Sequence, residues 1–194
     1  KISLTISENK SVVFQDNWSG IVNFDNVVNS IGDSDKKNSQ FTNGQFGFGI
    51  YSFIAFCKTL EIRSQNRNEE YSNCVKIPRS VFEKRKLSDI DVKPDTDDKL
   101  ESTGTNIKLS GFDASELSKV NIEEVTKEVE HHFELLLKRK NLQILLIDRR
   151  FKSPKEHICV PYDYEKHEGQ AFSNKIKDVI VTKYNTPRLK KFEK

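Results

Sequence analysis

The chain has 194 residues, 35% hydrophobic and 31% charged, which is the size of one domain with at most part of a second. Its 32 basic and 29 acidic side chains leave a net charge of +3, so charge gives no reason to expect nucleic acid as the main ligand. No apolar run approaches the length of a membrane span and no signal peptide opens the chain, so we expect a cytoplasmic protein without a membrane partner. Cys57, Cys74 and Cys159 are widely spaced and odd in number, which favours buried, reduced thiols over a metal motif or a disulfide framework.

The first half of the chain alternates between strand-like and helix-like segments. "ISLTISENKSVVFQDN" predicts two strands joined by the polar turn "SENK", and "LEIRSQ" and "YSNCVKIP" predict a second pair joined across "NRNEE". Between these pairs, the helical spacing of apolar residues in "SGIVNFDNVVNSIG" predicts a short helix, which the polar connection "DSDKKNSQFTN" follows. After a glycine-rich stretch, a further helix is predicted over residues 50–58.

The second half of the chain predicts an elaborated loop, three strands and one long helix. The loop covers residues 79–103, which are charged and include one short predicted strand. "GTNIKLSGF", "LQILLID" and "KDVIVTKY" predict strands, and "NIEEVTKEVEHHFELLLKRK" predicts the helix, with Asn121 and Glu124 as a capping box. Apolar residues at helical spacing predict the buried face of this helix: Ile122, Val125, Val129, Phe133, Leu136 and Leu137. Together these elements predict an α+β fold in which a layer of helices covers a mixed β-sheet.

The stretch "NGQFGFGIYSF" places three of the chain's 8 glycines, Gly44, Gly47 and Gly49, in front of an apolar segment. Glycines let the backbone approach a ligand and turn its N–H groups inward, and a following helix adds unpaired N–H groups, which favours a phosphate chain. No Lys follows as in a G-x-x-x-x-G-K-[ST] loop, and the dinucleotide fingerprint is matched only loosely. By itself, the stretch is equally consistent with close packing of a helix on a sheet.

Two shorter motifs flank the glycine stretch in the sequence. In "VVFQDNWSGI", a predicted strand brings Asp16 to a turn, where a carboxylate can accept a hydrogen bond from the exocyclic amine of adenine. An ordinary "DN" turn is the alternative interpretation. In "TGTNIKL", Gly104 and Thr105 enter a strand, and a hydroxyl there can reach Asp16 or a water shared with a base.

The chain carries three short motifs in a fixed order: Asp-Asn-x-x-Gly, then Gly-x-Phe-Gly-x-Gly-x-x-Ser, then Gly-Thr before a strand. In this order they resemble the motifs of the GHKL ATPases. The resemblance covers roughly residues 1–148, and the glycine motif is most similar to that of the heat-shock chaperones, with MORC and MutL-like proteins close to it. It implies the Bergerat ATP-binding fold, a two-layer sandwich of helices on a mixed sheet. Residues 149–194 are then a C-terminal extension, interpreted as the start of a following domain.

The resemblance also implies which residues contact ATP. Asp16, Gly20 and Thr105 correspond to the adenine-binding positions, where Asp16 accepts from the amine, Gly20 lets the base lie against the backbone and Thr105 shares a water. Ser34 and Lys36 or Lys37 correspond to a loop over the phosphates, although two adjacent lysines are equally consistent with a solvated basic pair. The phosphate-binding positions in the glycine motif are Gly44, Gln45, Phe46, Gly47, Phe48, Gly49 and Ile50.

The sequence departs from the family pattern in two places. Trp18 stands where the adenine motif usually has Gly, so the indole is either a wall of the pocket or a sign that the turn differs. No Glu-x-x-x-Asn helix precedes Asp16, although the family uses that Glu to activate water and that Asn to hold Mg²⁺. The catalytic residue is therefore unknown. We expect either a natural protein that is longer at its N-terminus or a pseudo-ATPase.

The resemblance implies three functions, in order of preference. The first is an ATPase that couples binding and hydrolysis of Mg-ATP to lid closure and to docking of a downstream domain or of a second protomer in a homodimer. Its role would be chaperone-like or in DNA processing, with no nucleic acid contact indicated for this domain. The second is a non-hydrolysing, nucleotide-responsive interaction module, and the third is a histidine kinase catalytic domain.

The histidines do not predict a metal site. His131 and His132 lie one turn from Glu128, but adjacent helical residues point in different directions, so both are interpreted as surface or boundary histidines. His157, Cys159 and His167 are too scattered for a zinc motif.

Overall fold

A computed structural model describes most of the chain. The described residues are 1–23, 49–83, 92–95, 103–163, 171–176 and 179–184. The helix predicted from "SGIVNFDNVVNSIG" and the polar connection after it lie outside these residues, apart from the first part of that helix segment.

Ten strands are present among the described residues, and eight of them form one mixed sheet. The strands are β1 (Ile2–Ile6), β2 (Val12–Asp16), β3 (Thr59–Gln65), β4 (Ser72–Pro78), β5 (Val92–Asp95), β6 (Gly104–Ser110), β7 (Ile144–Asp148), β8 (Lys155–Ile158), β9 (Ala171–Ile176) and β10 (Val179–Tyr184). The order in the large sheet is β5-β4-β3-β6-β2-β1-β7-β8, while β9 and β10 pair separately. Neighbours are antiparallel except β1 and β7, which are parallel. The predicted α+β class with a mixed sheet is confirmed.

Both predicted strand pairs are present as antiparallel neighbours. β1 and β2 pair from Ile2 opposite Asp16 to Ile6 opposite Val12, and the turn between them closes with Ser7 N–H donating to Ser11 O at 2.8 Å. β3 and β4 pair in the same way across residues 66–71. Alternating apolar residues and a polar turn are sufficient for such local pairing, which is why the sequence predicts it correctly.

The described helices are short. A 3₁₀ helix spans Gly49–Ala55, and the α-helices are α1 (Arg79–Glu83), α2 (Ala114–Ser118), α3 (Ile122–His132) and α4 (Glu134–Leu137). The helix predicted over residues 50–58 is therefore present, but it is a 3₁₀ helix and ends earlier. The predicted loop at residues 79–103 contains α1 in addition to its predicted short strand, β5.

The long helix predicted from residue 121 onward is wrong in its length. Asn121 caps α3 as predicted, with the Glu123 N–H donating to Asn121 Oδ1 at 2.9 Å. The helix ends at Phe133, whose φ of −107° and ψ of 17° are not helical, and α4 begins after it. The Phe133 residue, predicted on the buried face, is 37% exposed.

The helices lie on one face of the sheet. Leu60, Leu109, Val12 and Ile6 are opposite one another on four neighbouring strands, so their side chains share a face. Two groups of buried residues pack there: Phe53, Cys57, Leu60, Ile62, Val75 and Ile77, and Ile6, Leu117, Ile122, Leu137, Ile144, Leu146 and Cys159. The alternate positions on β2, β3 and β6 are largely polar, including Gln15, Arg63 and Lys108. The apolar face therefore provides the core.

The large sheet continues beyond the domain boundary predicted at residue 148. β8 pairs with β7 from Asp148 opposite Lys155 to Leu145 opposite Ile158, and Cys159 is buried in the core against α3 and β7. Residues 155–159 therefore belong to the same folded unit as β7. The predicted start of a following domain beyond them stays a prediction.

The three cysteines are free thiols, as predicted from their spacing. Cys57 and Cys159 are buried and Cys74 is half-buried. Burial, with a smaller contribution from the Glu130 charge, raises the pKa of Cys159 to about 11, so this thiol stays protonated at neutral pH. Within the part of the chain that the structure describes, helices long and apolar enough to cross a membrane are absent.

Candidate functional site

Asp16 is the last residue of β2, and its carboxylate starts the turn that follows. The Trp18 N–H donates to Asp16 Oδ1 at 2.9 Å, which is the local side-chain bond expected of an Asp at a turn. Among the described residues, no hydrogen bond reaches the second carboxylate oxygen, and the side chain is half-buried. One oxygen of Asp16 therefore holds the turn, and the other can accept from a ligand.

Asp16, Thr105 and Ser64 form a polar row across three neighbouring strands. Asp16 is opposite Thr105 in the β2–β6 pair, and Thr105 is opposite Ser64 in the β6–β3 pair. Residues opposite one another point to the same face of the sheet. This row therefore lies on the apolar face, at the opposite end of the strands from Leu60. We call these three residues the polar row. The structure thus brings together two residues predicted to bind adenine, Asp16 and Thr105.

The hydrogen bonds of Ser64 fix which way the Thr105 hydroxyl points. Ser64 Oγ accepts from the Ile21 N–H at 2.8 Å, donates to Gly104 O at 2.9 Å and lies 3.0 Å from Thr105 Oγ1. A hydroxyl has one proton, and that of Ser64 is used on Gly104 O, so Thr105 must donate to Ser64. The Thr105 hydroxyl then keeps its lone pairs for a ligand, as Asp16 keeps its second carboxylate oxygen, so both residues can act as acceptors.

Sequence reasoning missed Ser64. Leu60 and Ile62 set the alternation of β3, and a Ser follows where a third apolar residue is expected on a face that is otherwise core. Ser64 is 0% exposed, so its hydroxyl must be satisfied internally. A polar residue that breaks the inward alternation of a strand is the signal that would have identified it.

The predicted adenine-contacting residue Gly20 has a structural role. Its φ is +75°, and a Cβ there would lie 2.3 Å from the carbonyl oxygen of Gln65. Gly20 therefore lets the turn after β2 lie on the end of β3, which brings the Ile21 N–H to Ser64. The role implied by the resemblance, contact with a base, stays a prediction.

Trp18 is not buried against the polar row. Its side chain is 68% exposed, and its backbone N–H is what bonds to Asp16. The turn therefore tolerates the indole where the family usually has Gly. A cavity of ≈ 190 Å³ at the end of β2, lined by Lys1, Ser3, Gln15, Asp16 and Asn17, is smaller than the roughly 300 Å³ at which ligand pockets begin. That cavity alone does not hold a whole nucleotide.

Most of the predicted phosphate-binding residues lie outside the described residues. These are Ser34, Lys36, Lys37, Gly44, Gln45, Phe46, Gly47 and Phe48. Gly49 and Ile50 are described and begin the 3₁₀ helix. That helix is anchored on the core by Phe53, which is 2% exposed.

A second carboxylate, Asp148, is also at a strand end but has no capacity left. It is 0% exposed, and Arg150 donates to it three times, from its backbone N–H at 3.0 Å, from Nε at 2.9 Å and from Nη2 at 2.6 Å. These Arg150 bonds lower the pKa of Asp148 below its ordinary value despite burial. The guanidinium also donates to Leu117 O in α2 and to Val120 O in the segment between α2 and α3, so the pair ties β7 to both.

The only group of three metal-ligating side chains within the described ranges is on α3, not at the polar row. It consists of Glu128, His131 and His132, whose ligand atoms all lie within 4.8 Å of one another. The interpretation that the two histidines do not point together is wrong, because one nitrogen of each ring and a Glu128 oxygen lie within 4.8 Å of one another. His131 is half-buried and His132 is exposed, which confirms them as boundary and surface histidines. Mg²⁺ prefers oxygen ligands, so this group does not fit it, and the described residues at the polar row supply no set of carboxylates for Mg²⁺.

A scan of the chain against protein-family models and a search among curated proteins found no match.

Proposed function

We propose that the folded unit formed by β1 to β8 is the ATP-binding domain of a GHKL-type ATPase with the Bergerat fold. The observation that carries the proposal is the polar row, in which Asp16 and Thr105 are cross-strand partners and Ser64 orients the Thr105 hydroxyl. The sequence interpretation, in which the Thr105 hydroxyl reaches Asp16 or a water shared with the base, requires these residues to be adjacent in space. Their adjacency supports a common binding role.

The chemistry of the polar row favours adenine over guanine. Asp16 and Thr105 both present acceptors, and adenine carries a donor, its exocyclic amine, at the position where guanine carries a carbonyl oxygen. An acceptor placed opposite a carbonyl leaves both groups without a partner, which is costly when water is excluded. The half-buried Ile21, which packs against the core below the row, offers an apolar surface for the base.

In this proposal the triphosphate lies along the segment from Ser34 to Ile50, with Lys36 or Lys37 neutralising charge and the glycine amides donating. Mg²⁺ would arrive with the nucleotide and supply charge neutralisation at the phosphates. The described residues support the base-binding half only. The proposal also includes ATP-dependent closure of the segment between residues 31 and 44, and docking of a downstream domain or second protomer. The role would be chaperone-like or in DNA processing, in the cytoplasm.

Binding without hydrolysis is the second candidate function. Hydrolysis needs a base for the attacking water in addition to the residues that bind the nucleotide. A nucleotide-responsive interaction module needs only the binding half of the site. Phosphate release by the chain at saturating Mg-ATP separates the two: turnover supports the ATPase, and stoichiometric binding without turnover supports the module.

Calorimetric titration of the chain with a non-hydrolysable ATP analogue and Mg²⁺ tests the proposal. We expect one site per chain, and weakening between about tenfold and a hundredfold in Asp16→Asn. In that variant the amide oxygen stays on the Trp18 N–H, so the amide NH₂ faces the adenine amine as donor against donor.

Asp113→Asn is the matched control. Asp113 is exposed and lies just before α2, beyond the end of β6 that is farther from Thr105. The same isosteric change at Asp113 therefore leaves the polar row intact. We expect affinity equal to that of the unaltered chain. Absence of binding, or equal loss in both variants, contradicts the assignment of Asp16 to adenine.

A further inference from the structure

The last turn of α3 carries three side chains that are suited to a metal ion. Glu128, His131 and His132 stand at positions i, i+3 and i+4, which are neighbours on one side of a helix. A carboxylate oxygen and one nitrogen from each imidazole lie within 4.8 Å of one another. The group is separate from the polar row, which β2, β6 and β3 provide.

Both imidazoles have a neighbouring contact. His132 Nε2 lies 3.0 Å from Glu128 Oε2, so this pair is already together. The His131 ring meets the half-buried Tyr162 edge to face, with ring centroids 5.1 Å apart and an interplanar angle of 78°. The Tyr162 contact restricts the His131 ring, whereas Glu128 and His132, whose side chains are 59% and 63% exposed, keep freedom to rotate.

The electrostatics of this position also favour a cation. α3 has 11 residues and ends after His132, so its last turn carries the partial negative charge of the helix dipole. Glu128 adds a full negative charge at the same place. Two imidazoles and a carboxylate are ligands preferred by zinc and related transition metals, whereas Mg²⁺ and Ca²⁺ prefer oxygen alone.

We infer that Glu128, His131 and His132 form a binding site for a zinc-class divalent ion. Zinc–nitrogen and zinc–oxygen bonds of about 2.1 Å place tetrahedral ligand atoms about 3.4 Å apart. Glu128 Oε2 and His132 Nε2 are already 3.0 Å apart, whereas ligand atoms at the 4.8 Å limit must approach one another by about 1.4 Å. Glu128 and His132 are exposed and can make this adjustment by side-chain rotation. Three protein ligands leave the fourth position to water.

Titration of the metal-free full chain with Zn²⁺ by calorimetry tests the inference, with Co²⁺ absorption as a second readout of coordination. We expect one ion per chain and an intense tetrahedral Co²⁺ spectrum. The double variant His131→Ala/His132→Ala should lose affinity by about tenfold or more, and circular dichroism should show that it is folded.

His157→Ala is the matched control, because His157 also packs on α3, where its Nε2 lies 3.0 Å from Glu130 Oε1, but it is not one of the three ligands. We expect this variant to bind Zn²⁺ as the unaltered chain does. Three outcomes overturn the inference: no Zn²⁺ binding, equal affinity in the double variant, or binding that disappears in Cys74→Ser instead.

Discussion

Two strands of the sheet, β2 and β7, end in an aspartate that makes the same local bond. Asp16 accepts from the N–H of Trp18 and Asp148 from the N–H of Arg150, each two residues ahead. Their surroundings differ. Arg150 occupies both oxygens of Asp148, which is 0% exposed, whereas among the described residues Asp16 has only its turn bond.

The difference separates a carboxylate that stabilises the fold from one that is available to a ligand. The Asp148–Arg150 pair joins three elements and leaves no acceptor capacity for a substrate. Asp16 shares its face with Thr105, which adds an acceptor rather than a counter-charge, and with Ser64, which orients the Thr105 hydroxyl. Loss of the Asp148–Arg150 pair should therefore reduce stability, and loss of the polar row should reduce binding.

The largest expected effect is that of Arg150→Ala. It leaves the Asp148 carboxylate buried without its partner, and breaking a buried ion pair in this way costs about 3–5 kcal/mol. Urea unfolding measures the change. Arg139→Ala, at an exposed Arg after α4, is the control and should change stability by less than about 0.5 kcal/mol. Equal effects in the two variants would contradict a structural role for the pair.

Gly104→Ala should follow, at about 2–4 kcal/mol of lost stability. Gly104 has φ +142°, and a Cβ there would lie 2.1 Å from the backbone oxygen of Asp16, which cannot move without displacing the polar row. Gly111→Ala is the comparison, because its added Cβ, at φ +76°, would lie 2.8 Å from the Lys58 Cβ and not 2.1 Å from a backbone oxygen. We expect about 1 kcal/mol there. A smaller loss for Gly104→Ala than for Gly111→Ala contradicts this packing argument.

Ser64→Ala should cost about 1–3 kcal/mol, since it removes the partner of the Ile21 N–H and of Gly104 O in a fully buried place. It should also weaken nucleotide binding, because the Thr105 hydroxyl loses the acceptor that orients it. Ser80→Ala on the exposed face of α1 is the control for stability and for binding. Unfolding curves and calorimetry on the same samples separate the two effects, and unchanged affinity in Ser64→Ala would remove Ser64 from the binding site.

The pH dependence of unfolding should show the smallest effect. Because Arg150 lowers the pKa of Asp148 below its ordinary value of 3.8, the pair contributes fully above that value and its contribution is lost as pH falls through the lowered pKa. Unfolding midpoints measured between about pH 5 and pH 2 should therefore fall more steeply for the unaltered chain than for Asp148→Asn. Parallel curves would show that the Asp148 carboxylate does not contribute this acid sensitivity.

Much of the fold was predictable from the sequence because its signals are local. The alternation in β1 and β2, the turn between them and the Asn121 cap depend on residues close in the chain. The end of α3 at Phe133 and the addition of β8 to the sheet were not predicted. Both depend on tertiary packing, which periodicity within a segment does not report.

The candidate site was predictable only in part. Asp16 and Thr105 were identified from short motifs, but their pairing depends on strand order, since β6 follows β2 by almost ninety positions. Ser64 belongs to no motif, and its role comes from three bonds to residues distant in sequence. The convergence of His131 and His132 depends on side-chain rotation within one helical turn, which residue spacing alone does not determine.

The most direct test of the central claim, that the polar row accepts a hydrogen bond from adenine, is base discrimination. Calorimetry should compare a non-hydrolysable ATP analogue with its inosine counterpart, which replaces the amine donor by a carbonyl acceptor. We expect the unaltered chain to bind the adenine analogue about tenfold or more tighter, and Asp16→Asn to lose this preference. Equal affinity of the unaltered chain for the two analogues would contradict the claim.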